Sequence, residues 1–558
     1  MESHFELLEH IDISPEFKPA LESALIPWRF KNNVDILVVI DTGIDYTPGS
    51  NFGVGTVIEH VRNTNVGCMH FRVDIALRNG QAPTVVESPG AFEPKYRGFR
   101  FDMQDDGSSV LDKYEQIWCF GLTPNTSSTD DNIIDNASNF PAQDSELTVL
   151  AKWMDQHKGG LFGTGDHHIL GASMCHRIPR LGTMRRWTNA DGVPPVGSPE
   201  RIDTLRPPGP AYEPGAPGGP LPMGNGAQQG DLKVQPINWI PWQTRSWPFI
   251  YHKRPHPVLC HPTLGPIDVM PDHAHEGLCR TVSEIDLNAT YNFDGSGNKK
   301  EYPAATGGGA KPQPKIIATG STLGDPPYNF TKGAQPARPS FNMISVYDGH
   351  KAGVGRVATD STWHHWMGLN ITQIKNADND DWKKISRYFV NLAVWLSPPG
   401  YATKCLYTSA LTSHFHDVGF QEYYRDRSAL ELGHEFRVHL YGIYGPCWVS
   451  RLIRDWVWEV KPKPWEIIQK LEPRFEFGGI DAEMIEDMVL GEIIKQTMPT
   501  AEKVKGIAAL GKRDVKIKLG DPEKLLTQAV DKAFKVLSKD LSRHYEAVLK
   551  VVKAMGTG

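Results

Sequence analysis

Three short segments of the chain place histidine beside carboxylate side chains, a combination that can do chemistry. An imidazole with a neighbouring carboxylate can transfer protons near neutral pH, or it can ligate a metal ion. The segments lie at 160–168, 271–277 and 356–366. Their candidate residues are Asp166 and His167 in the first, Asp272, His273, His275 and Glu276 in the second, and Asp360, His364 and His365 in the third.

Each segment by itself has an ordinary structural interpretation, because aspartate caps helices and histidine packs with tryptophan in buried loops. None of them has the ligand spacing of a known metal motif. Taken together they favour one shared site, since functional groups concentrate where such side chains converge. The catalytic candidates are Asp166, His167, His273, Asp360 and His364, and the candidate ligands of a divalent metal are His273, His275, Glu276 and His365.

Two other motifs are better explained as structure. The Asp-Thr-Gly at 41–43 is similar to segments of subtilisin-type and aspartic proteases, but the chain has neither a matching histidine segment nor a second such loop. It is typical of a strand that ends in a turn. His434 and His439 are five positions apart, whereas the zinc motif His-Glu-X-X-His needs a spacing of four to place both ligands on one helix face.

Strand and helix signals alternate along the first two thirds of the chain, which predicts a parallel α/β sheet with crossover helices. Two of the three segments directly follow strand signals. Because the carboxyl ends of parallel strands share one edge, these segments can meet there if their strands are neighbours. The predicted strands are 34–40, 69–77, 114–121, 160–163, 315–318, 343–347 and 356–359, and the predicted helices are 52–62, 146–157 and 380–396.

A stretch rich in proline and glycine interrupts this alternation between 188 and 340. Its densest part, 206–230, cannot form a helix or a central strand, so we predict a long irregular insertion. Further on, an apolar stripe with i, i+4 spacing follows a helix start at Asp521 and Pro522. This stripe either packs on the rest of the chain or joins copies into a homo-oligomer. The predicted organisation is an N-terminal extension at 1–33, an α/β domain at 34–400 and a mainly helical C-terminal region at 401–558.

Composition and charge exclude several classes of protein. The formal net charge is −6, which argues against broad binding of nucleic acid. No apolar run approaches the ~20 residues that span a bilayer, and the acidic N-terminus lacks the pattern of a signal peptide. We therefore expect a cytoplasmic protein that does not bind membranes. The seven cysteines contain no Cys-X-X-Cys motif, so neither a disulfide framework nor a zinc ribbon is indicated.

The order of these elements and a few short motifs resemble the ThuA-like proteins of the class I glutamine-amidotransferase-like superfamily. The Gly-Val-Gly-Arg-Val run at 353–357 is similar to the family's Gly-X-Gly-Arg-Val strand, with His364 or His365 where its next histidine lies. The Asp-His pair at 272–273, followed by Gly277, is similar to the family's Asp-His-Pro segment. The resemblance implies a flavodoxin-like fold: a parallel sheet carrying a long Pro/Gly-rich insertion and followed by helices.

One departure from that superfamily bears directly on function. In the amidotransferases, the turn after the glycine-rich strand carries a nucleophilic cysteine in Gly-X-Cys-X-Gly. Here the stretch reads Gly163-Thr-Gly165, so glycine occupies the nucleophile position, and Cys175 lies ten residues further on. We therefore expect acid–base or metal-assisted chemistry, not cysteine-dependent hydrolysis of glutamine.

Two functions remain open on these grounds. The first is a ThuA-like enzyme acting on a small polar, carbohydrate-like substrate, with histidine as general base or metal ligand. The second is a catalytically inactive scaffold of amidotransferase-like fold, whose C-terminal helices form an assembly or partner interface. The three acid–histidine segments favour the enzyme, while the missing nucleophile and the large insertion favour the scaffold.

Overall fold

The structure is a computed structural model that describes most of the α/β part and most of the helical region. Nearly all of the predicted N-terminal extension lies outside the described residues, and so does the stretch at 206–230. The described residues are 32–123, 140–165, 170–187, 234–247, 250–271, 277–306, 308, 310–321, 340–416, 427–460, 482–509 and 522–556.

Strands form where β-branched and aromatic residues run between turn residues. All seven predicted strands are confirmed, with boundaries shifted by a few residues at most. In chain order the strands are β1 (Asn32–Asp41), β2 (Asn65–Val66), β3 (Met69–Arg78), β4 (Thr84–Val85), β5 (Tyr96–Arg97), β6 (Gln104–Asp105), β7 (Ser108–Ser109), β8 (Gln116–Gly121), β9 (Gly160–Gly165), β10 (Gln235–Trp239), β11 (Gln243–Trp247), β12 (Ile250–Arg254), β13 (Cys260–His261), β14 (Gly265–Pro266), β15 (Val269–Met270), β16 (Thr290–Tyr291), β17 (Lys299–Lys300), β18 (Lys315–Ser321), β19 (Ser340–Tyr347) and β20 (Val357–Asp360).

Helices begin where the sequence supplies caps. Asn379 accepts a hydrogen bond from the backbone of Trp382, and Ser428 forms a capping box with Glu431. The predicted helices at 52–62, 146–157 and 380–396 are confirmed, the second ending in a π-helical turn. The helices are α1 (Gly55–Asn63), α2 (Asp144–Lys152), α3 (Ala172–Cys175), α4 (Leu181–Met184), α5 (Gly368–Ala377), α6 (Asp380–Leu396), α7 (Tyr401–His416), α8 (Ala429–Tyr444), α9 (Pro446–Val460), α10 (Ala482–Ala509) and α11 (Pro522–Gly556).

Five neighbouring strands of four or more residues run parallel in the main sheet, in the spatial order β3-β1-β8-β9-β20, and the two-residue strand β5 pairs parallel with β3 beyond them. Numbered along the chain, these five strands have the order 2-1-3-4-5. The register is continuous across the middle of the sheet, where Val38 of β1 lies opposite Ile75 on one side and Trp118 on the other. The sheet therefore has one edge where all five carboxyl ends lie.

Both faces of this parallel part are buried, as the uninterrupted apolar run of β1 predicts. Side chains alternate across the strand, so Val38 and Ile40 enter one core cluster while Leu37 and Val39 enter the other. All four are at most 1 % exposed. The first cluster continues into the C-terminal helices, which are thereby packed onto the α/β part through shared apolar contacts.

The expectation of a purely parallel sheet with an irregular insertion is wrong in part. Strands β18, β19, β10 and β15 extend the sheet beyond β20 with antiparallel pairing, so the sheet is mixed. Most of these strands come from the predicted insertion at 188–340. The proline and glycine content of the stretch did not prevent this, because short apolar runs between the turns could still pair at the open edge of the sheet.

The described residues after 400 form the helices α7 to α11. Helix α11 packs through Leu526, Ala529, Val530 and Ala533, each at most 2 % exposed. Near its end the same helix exposes the large apolar side chains of Leu549, Val551, Val552 and Met555. Among the described helices, none combines the length and apolar character required to cross a bilayer.

Candidate functional site

The carboxyl edge of the parallel strands carries the polar groups that could form a site. Strand β1 ends at Asp41, β20 ends at Asp360, and β8 and β9 end in glycine between them. In sheets of this kind, ligands bind outside the carboxyl ends of the strands. The side chains that face or support this edge are therefore the candidates for a functional site.

Asp41 is a buried carboxyl group at the centre of the edge. It is 2 % exposed, and its two oxygens accept hydrogen bonds from the backbone nitrogens of Leu122 (2.7 Å) and Thr123 (2.8 Å). Burial raises the pKa of Asp41 to about 6, although these hydrogen bonds oppose the rise. A carboxyl with a pKa near neutrality can both give and take a proton under physiological conditions.

Glycine allows the backbone to approach this carboxyl closely. A Cβ atom on Gly121 would lie 2.6 Å from the Cα of Gly171 and 3.3 Å from an oxygen of Asp41. A Cβ on Gly165 would lie 2.3 Å from the carbonyl oxygen of Leu170. The ends of β8 and β9 can therefore pack against the turn at 170–171 only because they lack side chains.

Arg185, which directly follows α4, joins the described ends of the three histidine–carboxylate segments. It is fully buried, and its Nη2 donates to the carbonyl oxygens of Gly165 (2.8 Å) and Ser361 (2.7 Å). The backbone nitrogen of Gly277 donates to the same Ser361 oxygen (2.8 Å), and a Cβ on Gly277 would lie 2.5 Å from the Arg185 guanidinium. Gly165 belongs to the first segment, Gly277 to the second and Ser361 to the third.

Several buried hydroxyl groups at this edge have no hydrogen-bond partner within the described part of the chain. They belong to Thr42 after β1, Ser173 in α3 and Ser361 after β20. Buried polar atoms are normally hydrogen-bonded, so each of these hydroxyls has hydrogen-bonding capacity that water or a polar group can satisfy.

The carboxylate of Asp360 is the centre of a buried hydrogen-bond network. It accepts hydrogen bonds from His365 Nδ1 (2.9 Å), Trp366 Nε1 (3.3 Å) and the Tyr388 hydroxyl (3.2 Å). Asp360 and His365 are 0 % exposed. The network ties the end of β20 to helix α6 from the inside of the protein.

His364 also points inward. It is 2 % exposed, and its Nδ1 is 3.2 Å from the side-chain oxygen of Asn370 in α5. The third segment thus has a clear structural function, which is the ordinary interpretation of such a cluster. Direct catalytic roles for Asp360 and His364 stay predictions.

The residues predicted in the first two segments, 166–169 and 272–276, lie outside the described residues. The metal set cannot be assembled from what remains, because the described part of the chain contains no group of three histidine, cysteine or acidic side chains placed to hold a metal ion. The ligand roles of His273, His275, Glu276 and His365 accordingly stay predictions.

Cys175 does not replace the missing nucleophile of the amidotransferases. It ends the short helix α3 and is 0 % exposed. Burial raises the pKa of its thiol well above the usual value, so the thiol stays protonated. A protonated thiol without access to solvent is a poor nucleophile.

Two residues of this edge were not among the predicted site residues. Asp41 could have been recognised as a candidate in the sequence. It lies at the end of a buried strand, just as Asp166 follows a glycine-rich strand. Arg185 has no such signal, because its partners are distant in the chain and no motif surrounds it. Comparisons of the chain with models of protein families, with curated proteins and with solved structures found no match.

Proposed function

We propose that this chain is an enzyme of the ThuA-like type that acts on a small polar, carbohydrate-like substrate at the carboxyl edge of its parallel sheet. The observation that carries the proposal is the meeting of Gly165, Gly277 and Ser361 at the buried guanidinium of Arg185. This contact brings together the described ends of all three histidine–carboxylate segments. A shared site requires such convergence.

We also propose that the parallel part has the flavodoxin-like fold of the class I glutamine-amidotransferase-like superfamily. Without the two-residue strand β5, its parallel strands have the order 2-1-3-4-5 that is found in flavodoxin-like sheets, which supports the resemblance. In this interpretation, the antiparallel strands β18, β19, β10 and β15 are additions to the common core.

Only some of the residues proposed for acid–base chemistry belong to the part of the chain that the structure describes. Asp41, with a pKa of about 6, is suited to proton transfer, and the proposal assigns the remaining proton transfers to Asp166, His167 and His273. The proposal assigns hydrogen bonds with the ligand to the hydroxyls of Ser173 and Ser361, which are buried and have no partner within the described part of the chain. A sugar suits such a surface because each of its hydroxyl groups can both donate and accept.

A divalent metal is the second form that this chemistry can take. The ligands would be His273, His275 and Glu276, and the bound ion would supply a Lewis acid or an activated water. Elemental analysis of the purified chain tests this form. We expect stoichiometric zinc, iron or manganese that is lost in the His273→Ala/His275→Ala double variant. Protein that binds no metal would exclude the metal-assisted form.

The enzyme proposal is tested by incubating the full chain with a panel of mono- and disaccharides and sugar acids, and following conversion by NMR. We expect at least one compound to be converted, and we expect His273→Ala and Asp166→Asn to lower the rate by at least about 100-fold. His157→Ala is the matched control, since that histidine is half-exposed and pairs with Asp112. Absence of any conversion, or equal rates in all variants, would contradict the proposal.

The scaffold is the second candidate, and one observation favours it. The end of α11 exposes Leu549, Val551, Val552 and Met555, between 54 and 78 % each. Four large apolar side chains at one helix end are typical of a surface that is covered in an assembly. A homo-oligomer without any conversion of the sugar panel would favour the scaffold over the enzyme.

A further inference from the structure

Two cysteines that are far apart in the sequence lie in direct contact. Cys68 belongs to the turn between β2 and β3, and Cys405 lies in α7, 337 positions away in the chain. Their sulfur atoms are 3.3 Å apart and share a hydrogen bond. A rotation of either side chain could bring the two sulfurs to bonding distance, which is about 2 Å.

The surroundings make the two sulfurs chemically different. Cys68 also accepts a hydrogen bond from the side-chain nitrogen of Asn32 (3.0 Å). The hydrogen bond that it shares with Cys405, together with that from Asn32, lowers the pKa of the Cys68 thiol, although burial opposes this. For Cys405 the direction is opposite, since burial and its hydrogen bond to Cys68 raise the pKa of its thiol well above the usual value. Of the two thiols, Cys68 is therefore the one that loses its proton more readily.

Of the two cysteines, Cys68 lies nearer to the protein surface. Cys68 is 5 % exposed, whereas Cys405 is 0 % exposed. Gly67, next to Cys68, is exposed and has a φ of +57°, and a Cβ atom there would lie 2.2 Å from the hydroxyl oxygen of Tyr444. The glycine thus lets Tyr444 close over the buried side of the pair while the turn itself stays at the surface.

We propose that Cys68 and Cys405 are a peroxide-reactive dithiol, in which Cys68 reacts first and Cys405 then closes a disulfide between the two. The bond would join the β2–β3 turn of the sheet covalently to helix α7 of the C-terminal region. Neither cysteine belongs to the site at the carboxyl edge, so this inference is independent of the proposed function.

The reaction needs only hydrogen peroxide as oxidant. The Cys68 thiolate attacks one peroxide oxygen, the O–O bond breaks, and the departing hydroxide takes a proton to become water, leaving a sulfenic acid. The Cys405 sulfur then loses its proton and attacks the Cys68 sulfur, the S–O bond breaks, and the second oxygen leaves as water. Two electrons pass from the two thiols to the peroxide, and a dithiol reductant reverses the modification.

The test treats the folded full chain with hydrogen peroxide, blocks free thiols with N-ethylmaleimide, digests with trypsin without reduction and analyses the peptides by mass spectrometry. We expect a linked product of peptides 63–72 and 405–425, each of which contains a single cysteine. The product should disappear after treatment with dithiothreitol. An oxidised folded chain without this product, or with Cys260 linked to Cys447 in its place, would overturn the proposal.

Single variants test the order of the two steps. In Cys405→Ser, we expect Cys68 to stop at a sulfenic acid, which dimedone traps, or to proceed to the sulfinic acid. In Cys68→Ser, we expect Cys405 to stay reduced. Cys279→Ser is the matched control, because Cys279 is also buried but donates to the carbonyl oxygen of Met343. This variant should form the linked product as the wild type does.

Melting temperatures keep the inference testable if a variant folds poorly. The disulfide closes a very long loop, so oxidised wild type should melt several degrees above the reduced form, and this difference should vanish in Cys405→Ser. An equal difference in Cys405→Ser would show that another modification stabilises the chain and would contradict the assignment.

Discussion

At the scale of single residues, Asp41 should make the folded state less stable as the pH rises, which is the reverse of the usual effect of a carboxyl group. Its carboxyl has a pKa of about 6 in the folded chain against an ordinary value of 3.8, so the folded state binds the proton more tightly than the unfolded state. The resulting stabilisation is complete below about pH 4 and is lost as the pH rises through about 6. Over this range it amounts to about 3 kcal/mol.

We therefore expect the free energy of unfolding of wild type, relative to Asp41→Asn, to fall by about 3 kcal/mol between about pH 4 and about pH 7. Urea denaturation at a series of pH values measures the difference. Subtracting the variant removes the titration of all other carboxyl groups, which both proteins share. A difference that does not change with pH would show that Asp41 has an ordinary pKa.

Asp360 is the residue whose removal should cost the most stability at the carboxyl edge. Asp360→Ala leaves the buried donors of His365, Trp366 and Tyr388 without their acceptor, so we expect a loss of about 3 kcal/mol. Tyr388→Phe removes one donor only and should cost about 1 kcal/mol. Urea denaturation measures both, with the exposed Glu87→Ala as control. Equal stability of all four proteins would contradict the network.

At the scale of elements, the packing of α8 on α10 depends on two glycines. A Cβ on Gly491 of α10 would lie 1.7 Å from the carbonyl oxygen of Ala429, and one on Gly433 of α8 would lie 1.6 Å from that of Asp487. The two helices therefore approach with backbone against backbone. Such a contact excludes any larger side chain.

Alanine substitutions at glycines of α8 and α10 should distinguish the effect of helix packing on stability from the effect of helix propensity. We expect Gly491→Ala to lower the free energy of unfolding by about 2 kcal/mol, because the methyl group forces the helices apart. Gly442→Ala, on an exposed face of α8 with no atom within 4 Å of the added Cβ, should raise it by about 0.5–1 kcal/mol. Thermal and urea unfolding compare the two, and a stabilising Gly491→Ala would contradict the close approach.

At the scale of the whole molecule, the exposed end of α11 is the surface that would join copies of the chain. We expect light scattering to show a homo-oligomer that Leu549→Asp/Val552→Asp converts to a smaller species, because burying a charge on an apolar interface is unfavourable. Lys550→Ala, on the same stretch of helix, should leave the size unchanged. A wild-type monomer would contradict this interface and a scaffold that assembles through it.

Much of the fold could be predicted from local patterns. The run at 34–40 and the amphipathic helix at 380–396 were recognisable because apolar spacing and end caps act over a few residues. The antiparallel extension was missed, because the pairing of β10 with β18 joins residues separated by dozens of positions and by a proline-rich stretch. No local pattern records such a pairing.

The candidate site could likewise be predicted from the sequence only in part. The sequence by itself determined which segments carry histidine with carboxylates, and that two of these segments follow strands. Only the tertiary structure decided that Asp360 and His365 face inward and that Arg185 joins Gly165 to Ser361, a residue 176 positions away. It alone brought Cys68 to Cys405. The physical reason is that burial and long-range hydrogen bonds depend on which surfaces meet after the chain folds. Residue spacing in the sequence determines only which side chains share one face of the same helix or strand.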